Sequence, residues 1–301
     1  MTAVSPAELE RMAALLDAAP AFRVLRSIAP PPRLSDPPAG ARVGVYLDLE
    51  TTGLDPAVDA VIELGLVRFA YRDQEVLGLL DEIAAFEDPG RPIPEAITRL
   101  TGIDDAMVEG RAIDDERVRA LVAGAGIVIA HNASFDRPVA ERRFPHLADI
   151  AWACSQREVP WREEGFEGTG LQCLAMASGG FFDGHRAIED CYAGLFLLGR
   201  RLPRSNLTGL AALRRSAARR EIRLWAVGSP FETKDVLRAR GYRWSQAARC
   251  WWCDVPEAAV SEEESWLVEV VYGGHRPNLP RRALDAWSRY SLRIGESPPE
   301  V

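Results

Sequence analysis

The chain has 301 residues, of which 47% are apolar and 27% charged, so it is long enough for one large and one smaller domain, or two of similar size, whose cores need no disulfide or metal. Its net charge of −8 argues against a protein that coats long duplex nucleic acid, but not against an enzyme that holds a few terminal nucleotides. No apolar run approaches the about 20 residues of a membrane span, no signal-peptide pattern begins the chain, and the five cysteines lack disulfide-framework spacing, so we expect a cytoplasmic protein without membrane attachment.

The first 40 residues predict a helical arm and a linker. Ser5-Pro6-Ala7-Glu8 has the form of a helix-capping box with proline at the first helical position, and Pro20 should end the helix. We therefore expect an N-terminal helical arm at 1–28. Five prolines within 29–40 predict a semi-rigid linker or an extended wrap over the next domain.

The pattern of residues 41–203 is that of an α/β domain, because strands come first and helices and strands then alternate. We expect a mixed central sheet flanked by helices. The predicted elements, in chain order, are strands at 43–49, 60–70 and 77–86, helices at 94–100 and 114–123, a strand at 127–130, and helices at 133–143, 171–178 and 187–202.

The last hundred residues predict a basic connector and a small α+β accessory module. Residues 204–221 are rich in arginine and carry three leucines at helical spacing. The module is expected at 222–273, followed by a tail with little pattern at 274–301. Its predicted elements are a strand at 222–227, a helix at 233–240, a strand at 250–255 and an acidic helix at 256–267.

Asp48-Leu49-Glu50 ends the first strand of the predicted α/β domain. Residues i and i+2 of a strand point to one face, so the two carboxylates lie together. Two acids on one face of an apolar strand are costly to bury unless a cation lies between them. An exposed strand end is the more common explanation of such a triplet, so this motif alone does not decide the chemistry.

Two further motifs carry acids at the beginnings of helices. Asp136 follows a short apolar strand and lies in the first turn of the next helix, where it could instead complement the helix dipole. His185 and Asp190 are five residues apart, about 140° around an ideal helix, so they converge only if His185 lies on the loop before the helix. Three glycines between residues 179 and 184 favour such a loop.

Taken together, the ordered motifs Asp-x-Glu, Asn-x-x-x-Asp and His-x-x-x-x-Asp make this chain similar to the DEDD superfamily of 3′→5′ exonucleases. The resemblance is to the His subtype (DEDDh) and, within it, to the proofreading exonuclease group of DNA polymerase III epsilon. It covers roughly residues 42–201. The residues that carry it are Asp48 to Leu54, His131, Asn132, Phe135, Asp136, Gly184 to Ala187 and Asp190.

This resemblance implies a ribonuclease H-like fold and a site for two divalent metal ions, Mg²⁺ with Mn²⁺ able to substitute. The implied metal ligands are Asp48, Glu50, Asp136 and Asp190, and the implied general base is His185. Carboxylate oxygens suit these cations, and imidazole exchanges protons near neutral pH. We therefore expect a phosphodiester hydrolase that shortens single-stranded 3′ ends, DNA favoured, and releases nucleoside monophosphates.

Candidate substrate contacts surround these motifs, with structural alternatives left open. The candidates are Thr51, Thr52, Gly53, Leu54, Ile103, Met107, Asn132 and Phe135. The turn after the acidic strand would act through backbone amides and apolar stacking. Ile103, Met107 and Phe135 could equally be core residues, and Asn132 a helix N-cap. Arg186 could reach a phosphate or be solvated.

The C-terminal module combines aromatic and basic residues that could grip a single strand by charge and base stacking, although its tryptophans could equally form a small core. Cys250 and Cys253 point to opposite faces of a predicted strand, which disfavours a shared metal. Three alternatives stay open for the chain: an enzyme that trims RNA 3′ ends, a non-catalytic nucleic-acid-binding adaptor, and a subunit recruited by a polymerase or repair partner.

Overall fold

The computed structural model describes residues 4–295 and 297–299; residues 1–3 of the predicted arm and residues 296, 300 and 301 of the predicted tail lie outside the described residues. The strands are β1 (Arg26–Ser27), β2 (Arg42–Thr51), β3 (Val61–Arg72), β4 (Glu75–Phe86), β5 (Val128–Ala130), β6 (Trp152–Cys154), β7 (Gly180–Phe181), β8 (Glu221–Ala226), β9 (Arg243–Ser245), β10 (Cys250–Pro256) and β11 (Arg281–Leu284). The α-helices are α1 (Pro6–Asp17), α2 (Glu95–Thr101), α3 (Asp105–Val108), α4 (Asp115–Val122), α5 (Ala133–Arg143), α6 (Ser155–Glu158), α7 (Leu171–Ala177), α8 (Ala187–Gly199), α9 (Gly209–Ala217), α10 (Lys234–Arg240) and α11 (Val260–Trp266). None of these described helices is long and apolar enough to cross a membrane.

A five-stranded sheet with the order β4-β3-β2-β5-β6 forms the centre of the larger domain. β2, β3 and β4 pair in antiparallel fashion, whereas β5 runs parallel to β2 and β6 parallel to β5. The predicted α/β domain with a mixed central sheet is therefore confirmed. β6 was not predicted, because its three apolar residues are too few to show a period.

Side chains of β2 alternate between two cores, one on each face of the central sheet. Leu47 and Leu49 pack with residues of α4 and α5 on one face. Tyr46 lies on the opposite face, among buried residues of α8 and α9. Asp48 and Glu50 lie two and four residues after Tyr46, so their side chains point to the same face of the sheet, and the acidic motif faces α8.

Helix α8 lies close to the central sheet because two glycines leave space for it. A β-carbon at Gly65 of β3 would lie 2.3 Å from the backbone of Ala187, where α8 begins. A β-carbon at Gly194 of α8 would lie 2.0 Å from the ring of Tyr46. Both distances are shorter than any real side-chain contact, so these positions need glycine. The close packing brings the first turn of α8 onto the acidic end of β2.

The N-terminal arm begins with the predicted capping box, in which the Ser5 hydroxyl accepts the N–H of Glu8 and the Glu8 carboxylate accepts the N–H of Ser5. α1 buries none of its residues. β1 pairs in parallel with β7. The proline-rich segment then runs along β4, because backbone hydrogen bonds join Pro32 and Leu34 to Leu79. Of the two predicted alternatives, the segment follows the extended wrap.

The C-terminal module is a four-stranded antiparallel sheet in the order β11-β8-β10-β9. Leu237 of α10 packs with Trp251 of β10 on one face of this sheet, where α11 also lies. The predicted basic connector contains α9, whose Leu210 and Leu213 are buried in the core of the larger domain. The connector therefore anchors the module to that domain.

The tail predicted at 274–301 has more structure than its sequence indicated. β11 pairs with β8 and extends the module's sheet. Beyond β11 the chain contacts the larger domain: the N–H of Trp152 donates to the carbonyl of Ala286 over 2.7 Å, and the Arg137 guanidinium donates to the carbonyl of Trp287 over 2.6 Å. No strand was predicted at the position of β11, because two arginines among its four residues hide any apolar alternation.

Candidate active site

Three carboxylates converge where the acidic end of β2 meets the first turn of α8. Carboxylate oxygens of Asp48, Glu50 and Asp190 lie within 4.8 Å of one another, and each side chain is partly buried. Asp48 and Glu50 share one face of β2, as their spacing predicted. A cation accepts carboxylate oxygens from several directions, so these three residues could hold a metal ion.

The fourth predicted acid, Asp136, lies in the first turn of α5 and is 4% exposed. Burial raises its pKa to about 7, although backbone amides, including that of Asn132, stabilise its charged form. Its charge also raises the pKa of Asp48. Asp136 therefore adjoins the three clustered carboxylates without being one of them.

Burial, together with the charges of neighbouring acids, raises the pKa values of these carboxyl groups. Burial, followed by the charge of Asp190, raises the pKa of Glu50 to about 8. The same two causes lift the pKa of Asp48 well above its ordinary range, and burial raises the pKa of Asp190 to about 7. A bound cation would replace the lost hydration and offset the mutual repulsion. Since all the donors are carboxylates, the site fits the hard cations Mg²⁺ and Mn²⁺.

His185 lies on the loop before α8, as its spacing to Asp190 required. Its backbone has a φ of 67°, in the left-handed region that residues other than glycine rarely adopt. Its N–H donates to Oδ2 of Asp190 over 2.9 Å, which holds the loop against α8. The imidazole itself is exposed. Backbone strain of this kind is concentrated at functional sites.

A fifth carboxylate, that of Glu63, was not predicted from the sequence. Glu63 lies opposite Glu50 in the β2–β3 register and is 1% exposed. The guanidinium of Arg186 donates to it over 2.9 Å, and the N–H of Ala187 over 3.1 Å. Arg186, which was expected to reach a phosphate or be solvated, instead pairs with Glu63. The only sequence signal was a single acid in an apolar strand.

The polar groups of the turn after β2 form hydrogen bonds with one another. The Thr51 hydroxyl donates to the carbonyl of Gly53 over 2.6 Å. Thr52 donates its N–H to a carbonyl of the same turn and its hydroxyl to Asp59, so its polar groups are bonded within the turn, and its contact with a nucleotide stays a prediction. A β-carbon at Gly53 would lie 2.5 Å from the Asp59 carboxylate, so a side chain there would force Asp59 to shift. Leu54 is 84% exposed and open to apolar contacts.

The remaining candidate substrate contacts are divided between core and surface. Ile103 is fully buried in a cluster of isoleucines, which favours the core alternative over a position in the groove. Met107 packs against the same cluster, and Phe135 is partly buried against the core beside α5. The Asn132 side chain forms no N-cap bond; it accepts the hydroxyl of Ser134 and is exposed. Of these four, Asn132 is the most accessible.

His131 belongs to a buried chain of hydrogen bonds. Its Nε2 lies 2.8 Å from the carbonyl of Thr169, which can only accept, so Nε2 carries the proton. Its Nδ1 then accepts from the Ser155 hydroxyl over 2.9 Å, and the Tyr46 hydroxyl lies 2.8 Å from the same Ser155 oxygen. Burial lowers the pKa of His131 to about 4 and keeps it neutral. His131 therefore serves the packing of the motif.

The aromatic residues of the C-terminal module are divided between core and surface. The buried ones include Trp225, Trp251 and Trp252, and the exposed ones include Phe231 and Trp244. Cys250 and Cys253 lie on opposite faces of β10, as their spacing predicted: Cys250 packs in the cluster of Trp252, and Cys253 in that of Trp251. Two of the aromatics thus remain accessible to a ligand.

A family model described as an exonuclease, RNase_T, matches residues 45–197, just over half of the chain. The chain belongs to this exonuclease family. The match includes the four acids described above and His185. The protein is therefore a nuclease that hydrolyses phosphodiester bonds. The predicted resemblance to DEDD-type 3′→5′ exonucleases of the polymerase III proofreading group is confirmed.

Part of this exonuclease is similar to DNA polymerase III PolC-type proteins. It is 38% identical to that of Bacillus subtilis over 108 residues, 35% of this chain and 7% of the relative, and 40% identical to that of Listeria monocytogenes over 91 residues, 30% of this chain and 6% of the relative. The chain thus spans well under a tenth of the length of these relatives. One similar solved structure is exonuclease X in complex with 5′-overhanging duplex DNA, with 24% identity, coverage of 57% of this chain and 99% of that chain, and a TM-score of 0.42. Another is the zinc-bound E. coli exonuclease I–single-stranded DNA complex, with 16% identity, coverage of 60% of this chain and 47% of that chain, and a TM-score of 0.47.

Proposed function

We propose that this exonuclease shortens single strands from their 3′ ends, DNA favoured, and releases nucleoside monophosphates by metal-dependent hydrolysis. The observation that carries the proposal is the convergence of Asp48, Glu50 and Asp190 within 4.8 Å at the end of β2. Asp136 adjoins them from α5, and His185 borders Asp190 with an exposed imidazole. This combination supplies metal ligands and a proton acceptor at one edge of the sheet.

We propose that the carboxylates hold two divalent metal ions, Mg²⁺ with Mn²⁺ able to replace it. Asp48, Glu50 and Asp190 would hold these ions through their carboxylate oxygens, with Asp136 as a further ligand. When bound, the ions supply Lewis-acid stabilisation of the attacking and leaving oxygens of the phosphodiester. The raised pKa of Glu50, about 8, supports this assignment, because a bound cation would offset both the burial and the repulsion from Asp190 that raise it.

We assign the general base to His185. Its exposed imidazole would take the proton of the attacking water and pass it to solvent, and imidazole does both near neutral pH. The hydrogen bond from its N–H to Asp190 ties the position of the base to that of a metal ligand.

The proposed substrate is DNA, because the relatives matched in this region are DNA polymerases. Exposed Leu54 would pack against the terminal nucleotide. Trimming of RNA is the second candidate, and the two differ in whether the site accommodates a 2′-hydroxyl. The same relatives favour a polymerase or repair protein as partner, for which α1 offers the exposed apolar residues Leu9, Met12 and Leu15.

A non-catalytic adaptor is the alternative from a different class. An adaptor would keep the fold while losing a metal ligand or the base, whereas this chain keeps the whole set. The set consists of Asp48, Glu50, Asp136, His185 and Asp190. Its completeness favours the enzyme.

The experiment that tests the proposed function is digestion of a 5′-labelled single strand, as DNA and as RNA of one sequence, resolved on a gel. With Mg²⁺, we expect a ladder that shortens from the 3′ end and runs further for DNA. With a chelator, we expect no ladder. Faster shortening of the RNA strand would make RNA the favoured substrate. Binding of the strand without any shortening would favour the adaptor.

A further inference from the structure

A cavity of about 390 Å³ lies between the larger domain and the C-terminal module. We call it the interdomain cavity. The larger domain contributes Ser134 of α5 and Arg157 of α6, and the module contributes Arg243 and Trp252. Its volume is within the range of small-ligand sites, which begins at about 300 Å³.

The module presents to this cavity the sheet face that its helices leave uncovered. Along β8 and β10, Arg223 and Trp252 alternate with residues that pack under α10 and α11. The guanidinium of Arg223 lies 4.0 Å from the centre of the Trp252 ring, and that of Arg243 lies 5.4 Å from it. Asp254 fixes Arg223 through two bonds of 2.7 and 2.9 Å. The wall is thus an ordered layer of guanidinium groups on an indole.

Two of the arginines that line the interdomain cavity form no ion pair with a described carboxylate. Arg223 pairs with Asp254, and Arg289 bonds two further acids of the lining. Arg157 and Arg243 are exposed and have no carboxylate partner among the described residues. The indole Nε1 of Trp252 is buried and has no acceptor in the described part of the chain. The cavity therefore offers unpaired donors for an anion in a chain whose net charge is −8.

The interdomain cavity is separate from the acidic cluster. Ser134 and Pro138, which both line it, are four residues apart and share one face of α5. Asp136 is two residues from each, about 200° around the helix, and so points to the opposite side. The body of α5, about 10 Å across, stands between cavity and cluster.

We propose that the interdomain cavity binds the phosphate of a nucleotide, through Arg157 and Arg243, as a second site that serves the exonuclease. Guanidinium groups bind phosphate oxygens in pairs and stack on bases. The proposal rests on the proposed function, since the ligand is an internal nucleotide of the bound strand or a released nucleoside monophosphate. Both share the same phosphate chemistry.

The test compares full-length wild type with the Arg157→Ala/Arg243→Ala variant, in chelator so that no strand is cut. One probe is a fluorescent 12-nucleotide DNA strand, titrated at several salt concentrations. The other is thymidine 5′-monophosphate, titrated by calorimetry. The control, Arg11→Ala/Arg276→Ala, removes two exposed arginines that do not line the interdomain cavity. Thermal melting checks that each variant is folded.

For an internal nucleotide, we expect the variant to bind the strand about tenfold more weakly, with a salt slope reduced by about 1.4, since each contact with a single strand contributes about 0.7. For a free nucleotide, we expect only monophosphate binding to fall. Unchanged affinities for both probes, or no binding of either by wild type, would overturn the proposal. Hydrolysis of the strand by wild type in Mg²⁺ is measured separately. A cavity that binds no phosphate is therefore distinguishable from a protein that lacks the proposed exonuclease activity.

Discussion

The carboxylate of Glu63 and the guanidinium of Arg186 join β3 to the loop that carries His185, over an N–O distance of 2.9 Å. Glu63 also accepts the N–H of Ala187, the first residue of α8. One buried acid thus fixes both the loop and the helix that carries Asp190. Glu63 is therefore a positioning residue for the site.

Replacing Glu63 with glutamine should lower both stability and turnover. Hydrogen bonds to charged groups contribute about 1.5–3 kcal/mol each, so we expect Glu63→Gln to lower the free energy of unfolding by about 2 kcal/mol. The looser loop should reduce kcat about tenfold with little change in KM. Urea unfolding and steady-state kinetics measure these effects. Glu75→Gln, an exposed change on β4, is the control, and equal behaviour of the two variants would contradict the positioning role.

Alanine at Gly65 should displace α8. Its β-carbon would meet the backbone of Ala187 at 2.3 Å, and overpacking of this kind costs about 1–3 kcal/mol. Activity should fall as well, because the shift moves Asp190 away from Asp48. Gly199→Ala, at the exposed end of the same helix, meets no atom within 4 Å and should gain about 0.5–1 kcal/mol. Thermal unfolding of the pair decides the matter: equal melting temperatures would contradict the close packing.

The buried His131 should make stability depend on pH between about 6.5 and 4. Its pKa is lowered to about 4 by burial, whereas in the unfolded chain it is ordinary. In that window the unfolded state binds a proton at His131 that the folded state does not, so the contribution of His131 to stability is full above pH 6.5 and falls by up to about 3 kcal/mol as the pH approaches 4. His131→Gln should unfold with a shallower dependence. Identical slopes of unfolding free energy against pH for both proteins would show that this prediction is wrong.

Divalent metal should stabilise the fold. The three clustered carboxylates repel one another, and an ion that binds only the folded state adds about 2.7 kcal/mol at 100 times its Kd. Asp190→Asn removes one of these charges, so in chelator it should melt at a higher temperature than wild type, and in Mg²⁺ it should gain less. Thermal melts in chelator and in Mg²⁺ measure both effects. A wild-type melting temperature that is the same with and without Mg²⁺ would be evidence against a metal site.

The sequence predicted the central sheet and the converging acids because both leave strong local signals. Asp48 and Glu50 interrupt an apolar strand, and the five-residue spacing of His185 and Asp190 permits only a loop followed by a helix. Glu63 left no such signal, since its importance comes from Arg186, 123 residues away in the chain. β6 and β11 were missed for the same reason: their pairing depends on distant strands rather than on their own short patterns.

The most direct test of the central claim is the rate at which wild type and Asp190→Asn shorten a 5′-labelled DNA strand in Mg²⁺, with circular dichroism to confirm that both are folded. Removing a metal ligand should cost about 4 kcal/mol of transition-state stabilisation, so we expect a loss of about a thousandfold or more. A folded Asp190→Asn protein that cuts at the wild-type rate would contradict a catalytic centre built on these carboxylates.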